Sequence, residues 1–150
     1  MFLISQDEFV LTPLRSLGPL GYYQAIGLVC DVPSTLTKRI YPLSEVKSAC
    51  EKLIINKGIL GTLDSPESLP IPLNKVSHQI YDVTISNDKM VYVTIKPLST
   101  PLGTVLKTLL ESKADLYLQM MAIGKVSDNG TVTELEIGSF NIGTNRHAHA

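Results

Sequence analysis

The stretch Ser99–Val126, STPLGTVLKTLLESKADLYLQMMAIGKV, decides how the chain is read. Thr100 offers a side-chain oxygen to the orphan N–H groups of a helix start. Pro101 suits the first helical position, where its missing N–H leaves no bond unmade. Leu102, Val105, Leu106, Leu109 and Leu110 follow at the spacing of one apolar stripe, so a helix is expected from Thr100 to Glu111. Beyond Lys113-Ala114-Asp115, the run from Leu116 to Gly124 is apolar on both alternating faces, the pattern of an interior strand.

On the C-terminal side, Ser127 to Gly130 reads as a turn, with Asn129-Gly130 the strongest short hairpin signal in the chain. A more polar strand, Thr131 to Phe140, is expected after it, nearer an edge. On the N-terminal side, Tyr81, Val83 and Ile85 alternate, as do Val91, Val93 and Ile95, with Ser86 to Lys89 between them. This predicts an antiparallel hairpin with those residues on the buried face.

Further out, Leu43, Val46, Ala49, Cys50, Leu53 and Ile54 form the stripe of an amphipathic helix starting near Pro42 to Ser44. Tyr22 to Val32 reads as a largely buried strand that stops at Pro33. Between helix and hairpin, Thr62 to Val76 carries three prolines and reads as a long loop, either functional or merely connecting. Residues 1–21, broken by Pro13, Gly18, Pro19 and Gly21, read as an arm or loop, with a short strand around Phe9 to Leu11. The expected division is an arm over 1–21, a folded domain over 22–142 and a flexible tail over 143–150. The order of elements predicts an α+β fold: a mainly antiparallel sheet or small β-barrel flanked by two main helices.

A chain of 150 residues that is 44% apolar can bury a core without staples. Its formal charge of -1 and scattered basic residues make direct nucleic-acid binding unexpected. No apolar run approaches a membrane span, and the N-terminus lacks the positive start of a signal peptide, so a soluble product made in the cytoplasm is expected, with no membrane partner. Cys30 and Cys50 read as buried free thiols.

Catalytic chemistry is sparse. Two of the three histidines, His147 and His149, lie in the tail, where a metal would need further ligands that nothing nearby supplies. His78 is the remaining candidate base and Ser77 is its neighbour, but adjacent residues of a strand point to opposite faces, so the two are not expected to pair. His78 is expected as a hydrogen-bonding histidine at a strand edge. Asp64 and Glu67 read as caps or solvated turn residues rather than an acid and base pair. No phosphate cradle, metal-ligand cluster or cofactor motif is present, so no cofactor is expected.

Several short motifs nevertheless occur in a telling order: Ile40-Tyr41-Pro42, then Gly61-Thr62-Leu63-Asp64-Ser65-Pro66-Glu67, then Asn74 to His78, then Leu98 to Glu111, then Leu116 to Val126. Over about residues 25 to 140 the chain resembles the prohead (capsid-maturation) proteases of tailed bacteriophages. Their pattern reads approximately R-I-Y-P, G-E-L-D-H-P, N-x-x-x-V-S-H, L-x-T-P-x-G and G-V-S-S-R-G-x-G-x-V. The family is similar to herpesvirus assemblins, small β-barrels surrounded by helices in which a serine nucleophile and histidine base act on scaffold and head proteins.

The resemblance implies that fold and a phage-head setting. The V-S-H histidine is kept as His78, and the helix opening as Thr100, Pro101 and Gly103. The D-H-P histidine falls on Ser65, the two serines of S-S-R-G on Gln119 and Met120, its arginine on Met121 and its glycine on Ala122. Glutamine and methionine carry no activatable hydroxyl or thiol. The expectation is a non-catalytic structural protein of the virion, assembled in the host cytoplasm. It would be a decoration, cement or other head protein in a multicopy assembly with phage capsid or other virion proteins. The alternatives are a tail or neck component, and a working maturation protease with a divergent nucleophile, for which Ser65 with His78 is the nearest candidate. Homology further implies that Met120 and His78 approach one another.

Overall fold

The computed structural model describes residues 2–4, 12–34, 37–55, 59–63 and 73–144. Among them are eight strands, β1 (Phe2–Ile4), β2 (Arg15–Ser16), β3 (Tyr23–Val29), β4 (Leu60–Thr62), β5 (Val76–Ile85), β6 (Met90–Pro97), β7 (Tyr117–Val126) and β8 (Val132–Gly143). Two helices, α1 (Leu43–Ile55) and α2 (Pro101–Glu111), and a 3₁₀ turn (Leu73–Lys75) complete them. The chain is α+β, as its periodicities predict.

All laddered pairs are antiparallel: β2-β3-β6-β5-β4 form one sheet and β1-β7-β8 the other. The sheets meet along two seams. At one, β4 approaches β8 through a single parallel bridge, Leu63 to Ile142. At the other, β3 packs against β7, and the Leu14 N–H donates to the Leu116 carbonyl at 2.7 Å. Between the sheets Leu28, Val91, Val93, Ile95, Leu118, Phe140 and Ile142 are almost wholly buried, and α1 lies against β8 and β5 while α2 lies against β5 and β6.

The helix expected from Thr100 forms as read. The Thr100 side chain accepts from the Gly103 N–H at 3.0 Å, and Pro101 is the first helical residue. Its buried face, however, is Gly103, Leu106 and Leu110, whereas Val105 is 46% exposed. On α1, Val46, Ala49, Cys50 and Leu53 face the core and Ile54 does not. Both cysteines are free and buried.

The hairpin of β5 and β6 keeps its expected turn, but Tyr81 is 60% exposed rather than buried. The register explains it: Ile80 opposes Ile95 and Asp82 opposes Thr94, leaving Tyr81 as the extra residue of a β-bulge. The bulge sets Tyr81 beside Tyr22, with ring centroids 4.5 Å apart. β7 is the interior strand that was expected, with Tyr117 to Ala122 all buried. β8 is the last strand of its sheet, as expected, but its second half, Ser139 to Gly143, is buried at the β4 seam. Residues 1–21 contribute β1 and β2; the strand expected at Phe9 to Leu11 lies outside the described residues, as do Asp64, Ser65, Glu67, His147 and His149. No helix among the described residues is long and apolar enough to cross a membrane.

Candidate functional site

The seam between β4 and β8 concentrates the buried polarity of the described residues. Of eight buried polar residues, Thr62, Ser139 and Asn141 belong to the two strands that meet there, and Ser77, His78 and Gln119 to β5 and β7, the strands laddered to them. Two strands joined by one bridge leave main-chain groups that must find other partners. Side chains supply them. The Asn141 Oδ1 accepts from the Thr62 N–H at 3.1 Å, and the Ser139 hydroxyl donates to the Leu60 carbonyl at 2.7 Å. The Thr62 hydroxyl donates to the Lys75 carbonyl.

His78 is the centre of this cluster. Its Nε2 lies 2.7 Å from the Phe140 carbonyl, which can only accept, so Nε2 carries the proton. The Nδ1 therefore accepts, and the Ser77 hydroxyl donates to it at 2.7 Å. This overturns the expectation that Ser77 and His78 face apart, and again the cause is a bulge. Gly61 opposes His78 and Thr62 opposes Val76, so Ser77 is the extra residue and the pleat is broken at that point. Ser77 and His78 are both 0% exposed, which also replaces the strand-edge expectation for His78 with a core position.

Gly61 makes that position available: a Cβ there would stand 2.2 Å from the His78 Nε2 and 2.7 Å from the Phe140 carbonyl oxygen. Burial pulls the His78 imidazole down to about 4, opposed in part by its bond to the Phe140 carbonyl. The ring is thus neutral at pH 7, with both nitrogens engaged. It has no lone pair left for a further nucleophile.

The other candidate positions lie one strand away. Met120 opposes Phe140 in the β7–β8 ladder, so His78 and Met120 share Phe140 as a direct neighbour, one through its carbonyl and one through the register. Gln119, Met120 and Met121 are all buried, Met120 within the main apolar cluster. The Gln119 amide fills space over Gly143, where a Cβ would meet its Nε2 at 2.5 Å. Gln119 opposes Asn141, and the Gln119 Oε1 and the Asn141 Nδ2 are buried with no hydrogen-bond partner. Among the described residues no group of three or more His, Cys, Asp or Glu is placed to hold a metal ion.

The arrangement stitches strands together. A serine hydroxyl on an imidazole is the first half of a nucleophilic pair, yet here no surface opens onto it, and the ring's far nitrogen faces a carbonyl instead of an orienting carboxylate. Sequence reasoning missed Asn141, Ser139 and Thr62 as members of the cluster. Each looks like an ordinary strand residue, and only the meeting of β4 with β8 gives it a role.

No protein-family model matches the sequence, and no curated protein matches it. Among solved structures, the fold is similar to that of the bacteriophage T4 capsid assembly protease, gp21, with a TM-score of 0.75, 18% identity, and coverage of 95% of this chain and 94% of that one. The fold is therefore prohead-protease-like.

Proposed function

We propose that this chain is a non-catalytic structural protein of a tailed-bacteriophage particle, a protease-like domain reused as a capsid-associated component of the decoration or cement kind. The observation that carries the reading is the middle of β7. Where the resemblance places the paired serines and the arginine, Gln119, Met120 and Met121 are interior side chains without a hydroxyl or thiol. What the chain retains of the family pattern, Gly61, His78, Thr100, Pro101 and Gly103, makes strand and helix packing contacts instead. Its partners on this reading are phage capsid or other virion proteins in a multicopy assembly. Extended surface contact of that sort leaves no short motif.

The 2.7 Å contact between Ser77 and His78 favours a second reading, a protease with a relocated nucleophile. Against it stand the complete burial of both residues and the occupied Nε2. The purified chain, treated with a fluorophosphonate probe and incubated with the scaffold and head proteins of its phage, should neither take up label nor cut them. Labelling at Ser77 or Ser65, or specific cleavage, overturns the non-catalytic reading.

A further inference from the structure

Two adjoining cavities follow α2 where it faces β2 and the turn leading into β3. The larger, about 670 Å³, lies between the Gly18–Gly21 turn, Lys96 to Ser99 and α2. The smaller, about 340 Å³, continues past the end of α2 toward Leu14. Tyr23 and Glu111 line both, so the two form one groove.

The groove carries a surplus of positive charge: Arg15, Lys96, Lys107 and Lys113 against Glu111 and Asp115. None of the four cations is in an ion pair among the described residues, whereas Lys89 and Lys125 are paired with Asp31 and Glu134. Lys96 extends over the half-buried Tyr22 ring, 4.9 Å from its centroid, where Tyr22 meets the exposed Tyr81. Leu20, 75% exposed, stands in the wall, a large apolar side chain left to water. One border is β2, a two-residue strand at the end of its sheet that brings Arg15 to the groove.

We propose that this groove docks an extended segment of a partner protein that carries carboxylates between apolar side chains. Lysines and an arginine outside any ion pair among the described residues match the carboxylates, Leu20 and Tyr23 match the apolar anchors, and a groove that continues from Thr104 past the end of α2 suits an extended segment. A nucleic acid fits less well, because Glu111, common to both cavities, and Asp115 would repel its phosphates and Leu20 would gain nothing. The proposal rests on this charge pattern and not on whether the chain is an enzyme.

A random peptide display library panned on the full chain tests it. The expected selection is enriched in Asp or Glu alternating with Leu or Phe. A synthetic selected peptide, measured by fluorescence anisotropy, should bind roughly tenfold more weakly to Lys96→Glu/Lys107→Glu, a loss on the scale of two charge contacts. It should bind unchanged to Lys47→Glu on the exposed face of α1. All three lysines are exposed, so the variants fold. Selection of basic or uncharged peptides, absence of any selection, or binding indifferent to the double charge reversal overturns the proposal. So does tighter binding of a duplex oligonucleotide than of the peptide, or self-association through the groove in sedimentation velocity.

Discussion

At the scale of single residues, His78 is a candidate base in sequence and, in three dimensions, a fully buried imidazole hydrogen-bonded at both nitrogens. Its burial in the neutral form has a pH signature. The folded-state value is depressed from 6.5 to about 4, so the unfolded chain binds the proton more readily. The stabilisation is therefore complete above pH 6.5 and is lost as the pH falls toward 4. The loss amounts to about 3 kcal/mol. Urea unfolding across that window should show the decline in the native protein, and His78→Gln should lack that part of it. A His78 contribution indifferent to pH would mean that the ring is solvated. The Ser77 contact was hidden from sequence because strict alternation was assumed through a bulge, and nothing in Val76-Ser77-His78 announces one.

At the scale of elements, α2 was the most legible part of the chain because its signals are local: a capping threonine, a proline in the first turn and a leucine stripe. Sequence did not show why Gly103 belongs to that opening. A Cβ there would lie 1.9 Å from the Leu98 carbonyl oxygen and 2.8 Å from that of Ser77, so the helix start rests directly on the β5–β6 backbone beside His78. Thr100 binds the same place, its hydroxyl donating to the Val76 carbonyl at 2.5 Å. Thr100→Ala should cost about 1 to 2 kcal/mol of unfolding free energy as a lost cap. Gly103→Ala should cost more, about 3 kcal/mol, because packed backbone must move. Chemical denaturation of the two variants checks the order; a harmless Gly103→Ala would show that α2 is not seated there. Val105 and Ile54 are exposed for one reason and Tyr81 for another. A stripe five or six residues wide is broader than the face a helix buries, and a period of two fails at an extra residue.

At the scale of the molecule, the antiparallel character, both hairpins and both helices were legible, because each hairpin and helix follows from periodicity or turn chemistry within some twenty residues. The meeting of β4 with β8 was not, because it joins residues nearly eighty apart in sequence and β4 is only three residues long. Asn141 carries that seam. Asn141→Leu should leave the Thr62 N–H buried without a partner, at a cost of about 2 kcal/mol, with faster hydrogen exchange at Thr62 as the local sign. Unchanged exchange would mean that the seam is held elsewhere. A seam bridged by Asn141, Ser139 and Thr62 beside an interior Gln119-Met120-Met121 suits the proposed building block, a protease-like fold that cuts nothing. The proposal that it serves as one in a phage particle is tested most directly by mass spectrometry of particles purified from cells that express it. The account predicts the intact chain in the mature particle, in multiple copies; its absence from particles would contradict the account.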